Sequence, residues 1–147
     1  MSLEKNKAIV RSYFEAVEKR KLAITDKLIA PDYFHRGFQV RSREEWKKSM
    51  TMVLNAFPDY HETIEDIMAE GDKVWVRYKG TGTNRGEYRG LAPTGKKVTY
   101  EAVCIYRIVN GKIVEMWAVS DMLDFYKQLG VIEYTEKAKK LFPKNVK

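Results

Sequence analysis

Cysteine is almost absent. Cys104 stands alone among 147 residues, so no internal disulfide framework can form. Histidine is nearly as scarce, and His35, His61 and Cys104 together cannot assemble a Cys/His zinc cluster. Long apolar runs are also lacking: the longest, Ala102–Tyr106, is far below the roughly 20 residues that span a bilayer. The opening segment MSLEKNKAIV has neither the apolar core nor the cleavage pattern of a secretory leader. We therefore expect a cytoplasmic protein with no membrane partner. A P-loop, a dinucleotide GxGxxG after a strand and a GxSxG elbow are missing as well. Gly80-Thr81-Gly82-Thr83-Asn84 has a phosphate-loop composition, but it ends a strand rather than opening a helix.

The chain has the composition of one folded domain, 44% hydrophobic and 32% charged, with a net charge of +7. Residues 131–147 hold five lysines against two glutamates, a local +3, which leaves +4 for the rest. Elsewhere lysines alternate with acids, as in Glu44-Glu45-Trp46-Lys47-Lys48. No basic stripe with interleaved aromatics appears, so no nucleic-acid partner is expected. Residues 1–130 read as a single domain and 131–147 as a basic C-terminal extension.

Periodicity orders the elements. Ile9, Val10, Tyr13, Phe14 and Val17 make one face of a helix over residues 3–20. A helical turn over 22–29 ends at Ala30-Pro31, and 33–40 reads as extended. Ser42 caps a helix with Glu44 and Glu45 in its first turn; its apolar stripe runs from Trp46 through Met50 to Phe57, and Pro58 stops it. The period then changes to two. Strands are expected over 60–70, 73–83, 97–109 and 112–120, followed by a helix over 122–129 that Gly130 closes. Helices first and hairpin strands afterwards give an α+β fold, a curved antiparallel sheet wrapped over N-terminal helices around an internal cavity.

Asn110-Gly111 predicts a two-residue type I′ turn, and that turn predicts a register. Val109 then pairs with Lys112, Cys104 with Trp117, Ala102 with Val119 and Tyr100 with Asp121. Tyr100, Ala102, Cys104, Trp117, Val119 and Asp121 share the face expected to line the cavity. Val103, Ile105, Val114, Met116, Ala118 and Ser120 share the other. Both faces are substantially apolar, so the outer one is expected to pack against a second copy, forming a homodimer.

A carboxylate at the end of an apolar strand face has its pKa raised toward values useful for proton transfer, which makes Asp121 the focal acid/base candidate. Ser120-Asp121 equally reads as a helix N-cap. His35, on a strand behind a helix, is a candidate for orienting a substrate carbonyl. His61, beside Tyr60 and Glu62, reads as a surface residue, and Cys104 as a small buried hydrophobe. Phe14, Met50, Tyr100 and Trp117 are the candidate substrate-binding wall.

The sequence resembles the SnoaL-like polyketide cyclases, or ester cyclases, of the NTF2-like superfamily. The resemblance is carried by Leu28-Ile29-Ala30-Pro31-Asp32-Tyr33, Ala56-Phe57-Pro58-Asp59-Tyr60-His61, Glu70-Gly71-Asp72-Lys73-Val74, Gly90-Leu91-Ala92-Pro93-Thr94-Gly95-Lys96 and Gly111-Lys112-Ile113-Val114-Glu115, then Trp117 and Asp121. It implies an NTF2-like cone that closes a polyketide ring by intramolecular aldol chemistry without a cofactor. It also implies that Asp121 is the general acid/base and that His35 lines the pocket. Many relatives carry a second aspartate just after the tryptophan, where this chain has Ala118, a position the expected register turns away from the cavity. The implied ligand is a hydrophobic carbonyl compound. The alternatives are a non-catalytic NTF2-like protein that binds a small ligand or serves as an interaction module, and a ketosteroid-isomerase-like isomerase or dehydratase.

Overall fold

The computed structural model describes residues 2–142. Helix α1 (Leu3–Glu18) starts where the Ser2 hydroxyl accepts the Lys5 N–H, with Glu4 in the positive first turn. It buries Val10, Tyr13, Phe14 and Val17 along one face. A 3-10 turn (Leu22–Lys27) leads into β1 (Ile29–His35). Helix α2 (Arg43–Ala56) is capped by Ser42 as the sequence predicts, its hydroxyl taking the Glu45 N–H at 3.1 Å.

The remaining strands are β2 (His61–Glu70), β3 (Lys73–Thr83), β4 (Lys97–Val109) and β5 (Lys112–Ser120), followed by α3 (Met122–Leu129) and a short α4 (Glu136–Lys139). They form one five-stranded sheet in the order β1-β5-β4-β3-β2. The β2–β5 meander is antiparallel, and β1 joins the β5 edge in parallel. The α+β arrangement predicted from periodicity is the observed one. Helices α1 and α2 pack against the inner face, which supplies Val74, Val76, Val98, Tyr106 and Ile113 to the core.

Two one-residue bulges decide which side chains face inward. The Asn110-Gly111 turn forms with positive φ at both residues, and Val109 pairs with Lys112 as predicted. Ile108 still pairs with Ile113, but Arg107 pairs with Glu115, so Val114 is an extra residue in β5. Beyond it the expected register is displaced by one. Cys104 pairs with Ala118, Ala102 with Ser120 and Val103 with Val119. A shift of one residue exchanges the two faces. Met116, Ala118 and Ser120 therefore point inward, and Trp117 and Val119 share the outer face with Val103 and Ile105.

The second bulge lies in β2. Ile64 pairs with Tyr78 but Asp66 pairs with Arg77, leaving Glu65 as the extra residue. Glu62 and Ile64 face inward before it, Ile67 and Ala69 after it, as the partly buried positions of the strand record.

Candidate active site

Between the inner face of the sheet and the helices lies a cavity of about 160 Å³. Its walls are mostly aromatic and aliphatic: Trp46, Met50 and Val53 from α2, Tyr78 from β3, Val98 and Tyr100 from β4, Met116 and Ala118 from β5, and Phe125 from α3. Phe38 and Arg89, both exposed, also belong to the lining, and the Arg89 guanidinium lies 4.9 Å from the Phe38 ring centroid. Apart from tyrosines, the ionisable groups of the lining are His35, Glu62 and Arg89.

Glu62 is the carboxylate of this site. It sits at the start of β2, ahead of the bulge, opposite Gly80 of β3. The Tyr60 hydroxyl donates to Glu62 Oε1, and the Tyr60 and Tyr100 hydroxyls are hydrogen-bonded to each other. With the Tyr60 proton committed to an ionised Glu62, Tyr100 is the donor to Tyr60, which orders a chain Tyr100 to Tyr60 to Glu62. Gly80 makes room for it: a Cβ there would sit 2.6 Å from the Tyr100 ring. Burial pushes the Glu62 carboxyl up to about 7, against the lowering effect of the Tyr60 hydrogen bond.

His35, at the end of β1, lines the opposite side of the cavity and is buried. Its Nδ1 accepts the backbone N–H groups of Gly37 and Phe38, at 3.0 and 3.3 Å. Desolvation lowers its pKa, so the ring is held neutral. With Nδ1 occupied as an acceptor, the proton of the neutral ring resides on Nε2, leaving a donor. β1 and β2 are the two edges of the sheet, so a ligand that meets both His35 and Glu62 must lie across the cavity.

Of the residues singled out from sequence, the structure brings His35, Met50 and Tyr100 together in the lining. The other three lie elsewhere. Phe14 is core, edge-on to Tyr13 and Tyr78 at 5.5 and 5.3 Å between ring centroids. Trp117 is on the outer face, with the Arg36 guanidinium 5.4 Å from its ring; the Val114 bulge put it there. Asp121 follows β5 as the N-cap of α3, exposed, its Oδ1 accepting the Asp124 N–H at 2.9 Å, and it does not line the cavity. The expectation that Asp121 stands on the cavity face rested on the unbulged register and fails with it. Ala118, expected to face away, lines the cavity instead.

Sequence reasoning passed over Glu62 because it assigned no inward face to the strand expected over 60–70. The usable signal was the pair Ile64 and Ile67, two apolar residues three apart, which share one face of a strand only when one extra residue lies between them. His61 is exposed, as expected, and pairs with Glu18 at 2.7 Å. Cys104 is buried, its thiol pushed up to about 12 by desolvation. Among the described residues no three metal-ligating side chains come together.

The SnoaL-like polyketide cyclase family matches residues 7–129. Aklanonic acid methyl ester cyclase DauD of Streptomyces sp. (strain C5) is 30% identical over 129 residues, covering 83% of this chain and 80% of its own. Among solved structures, AclR of Streptomyces galilaeus, a suggested hydroxylase, shares 32% identity with a TM-score of 0.80, covering 95% of this chain and 90% of its own. TsrD of Streptomyces laurentii has the same fold at a TM-score of 0.82 and 22% identity, with 90% and 99% covered. On a match that spans most of its length, this chain belongs to the SnoaL-like polyketide cyclase family.

Proposed function

We propose that the protein closes a ring in a hydrophobic polyketide ester by intramolecular aldol addition, using its own side chains as the acid and base. The observation that supports this most directly is the cavity itself, an apolar chamber with one carboxylate and one neutral imidazole in its wall. Such a chamber favours a neutral, extended substrate and keeps water away from an enolate. The His35 Nε2–H suits a substrate carbonyl oxygen, which gains charge as the enolate or the alkoxide forms. Met50 and Tyr100 supply wall, and Ala118 and Ala102 leave the room that a flat ring system needs. The identity with aklanonic acid methyl ester cyclases supports an ester-bearing substrate.

The test is incubation with aklanonic acid methyl ester in the presence of a chelator and without oxygen, followed by chromatography and mass spectrometry. A cyclised isomer of unchanged mass is expected. A product that gains oxygen, formed only in air, would favour the hydroxylase chemistry suggested for AclR. Tight binding without turnover would favour the ligand-binding alternative.

A second copy on the outer sheet face belongs to the same proposal. Met68, Trp75, Ile105 and Trp117 are linked by pairing into one band across four strands, with Val103 and Val119 beside it. Met68, Trp75, Val103 and Val119 are exposed, Val119 by 74%. Asp66, Arg77 and Glu101 beside the band carry both signs, which suits a face that meets itself. Sedimentation should give a dimer at micromolar concentration and a monomer for Val119→Lys. A monomeric parent protein would remove this part of the reading. Among the described residues no helix is long and apolar enough to cross a membrane, and a cytoplasmic location is part of the proposal.

A further inference from the structure

We propose that Glu62 is the base that takes the proton from the activated methylene of the substrate, held in place for that task by the Tyr60 and Tyr100 hydroxyls. The inference rests on the cyclase reading and assigns its first step. Among the described residues Glu62 is the one carboxylate that lines the cavity. Its Oε1 is fixed by Tyr60, whose own oxygen is engaged by Tyr100, so three side chains from two strands and the turn before them set one carboxylate orientation. Glu62 has no salt bridge within 4.0 Å among the described residues; its side-chain partner is a neutral hydroxyl.

In the assigned step the methylene C–H bond breaks. The proton goes to Glu62, and the electron pair moves into the carbonyl beside it, giving an enolate. The enolate carbon then attacks the second carbonyl. A C–C bond forms, the π pair of that carbonyl becomes an alkoxide, and the alkoxide takes back the proton that Glu62 carries. Nothing is oxidised or reduced, and the product is an isomer of the substrate.

The charges around Glu62 come from every element packed on it. Glu18 at the end of α1 disfavours its ionised form, while Arg20 and the neighbouring His61 favour it. Tyr13 of α1, Tyr78 of β3, and Tyr100, Cys104 and Tyr106 of β4 are near enough to interact with its charge, and all of these are held neutral by burial. The base is therefore ionised only as the pH rises past about 7. The rate should climb through that value and then level.

Methyl benzoylacetate isolates this step, because exchange of its methylene hydrogens for deuterium needs a base and no ring closure. The parent protein in deuterated buffer should accelerate exchange above the buffer rate, seen by proton NMR. Glu62→Gln should lose at least about a hundredfold of that excess, in the range of general-base contributions. Tyr60→Phe keeps the carboxylate but removes the hydrogen bond that favours its ionised form, so it should move the acidic limb of the pH profile upward. That movement also guards against a Glu62→Gln protein that fails to fold, since a purely structural Tyr60 would leave the limb in place. No exchange above buffer, or Glu62→Gln within threefold of the parent, or an unmoved limb in Tyr60→Phe, overturns the assignment. Cyclisation of aklanonic acid methyl ester without Glu62-dependent exchange would sink Glu62 and leave the cyclase reading standing. Exchange without cyclisation of any ester tried would do the reverse.

Discussion

Glu62 and Asp121 invite comparison, because each stands at or just past one end of a strand that carries a one-residue bulge and only one of them reaches the cavity. The Glu65 bulge keeps Glu62 on the inner face while the rest of β2 still buries Ile67 and Ala69. The Val114 bulge turns β5 the other way, sending Trp117 outward and leaving Asp121 at the head of α3. The environments differ accordingly. Glu62 loses water and is bonded by a neutral hydroxyl, so its carboxyl is pushed up to about 7. Asp121 keeps water and caps a helix, a position that rewards negative charge. A carboxylate after the last strand is thus a cap by its hydrogen bonds, and a carboxylate that a sequence reading passes over becomes the acid/base candidate by its burial.

The comparison is broken most sharply by exchanging each oxygen for nitrogen. Glu62→Gln should lower kcat by about a hundredfold or more on an ester that the parent protein cyclises. Asp121→Asn keeps an equally good cap and should stay within threefold. Steady-state kinetics on the two proteins decides the matter. A large loss in Asp121→Asn together with an active Glu62→Gln would restore the sequence-based assignment of Asp121.

Why the order of elements was legible and the site only partly so follows from what each depends on. Strand limits such as Lys73–Thr83 and Lys112–Ser120, the Ser42 cap and the Gly130 closure are set by local pattern, and these coincide with the predicted ones, whereas the strand expected over 33–40 runs instead over Ile29–His35. The parallel addition of β1 to β5 is a long-range pairing, and no local pattern records it. His35, Met50 and Tyr100 reached the lining because their faces do not depend on either bulge. Trp117 and Asp121 lie downstream of Val114, so one extra residue reversed the inference drawn for both. The Asn110-Gly111 turn was read correctly, and the error entered within four residues of it. A tight turn fixes register only as far as the ladder stays regular.

A smaller effect separates the two carboxylates through stability. In the unfolded chain Glu62 titrates near 4.5, and in the folded protein near 7. Between these values the folded state holds a proton that the unfolded state has released, so stability falls as pH rises through this window, and the full cost is present above about 7. The displacement corresponds to roughly 3 kcal/mol at most, and partial exposure of the side chain reduces it to about 1–3 kcal/mol. Glu62→Gln does not titrate. It should match the parent in urea unfolding near pH 4 and exceed it by about 1–3 kcal/mol near pH 8. Equal stability at both pH values would mean that the Glu62 carboxyl is not desolvated, and the basis for its high pKa would go with it.

The smallest expected effect belongs to Asp121. The Asp121 carboxylate accepts the Asp124 N–H at 2.9 Å and lies at the positive end of an eight-residue helix. Asp121→Ala leaves that N–H without its partner and removes the favourable charge, which together cost about 1 kcal/mol. Helix α3 closes one side of the cavity through Phe125, which sits edge-on to Tyr100 at 5.8 Å, and Gln128 ties it to β4 through both backbone groups of Thr99 at 2.8 Å. Those ties hold α3 in place without the cap. Asp121→Ala should therefore lower the urea midpoint slightly and leave KM near that of the parent. If KM rises severalfold while Asp121→Asn restores it, the cap itself positions Phe125 against the substrate. If Asp121→Asn does not restore it, the negative charge of Asp121 acts on the bound ligand, and the separation drawn between the two carboxylates is too strict.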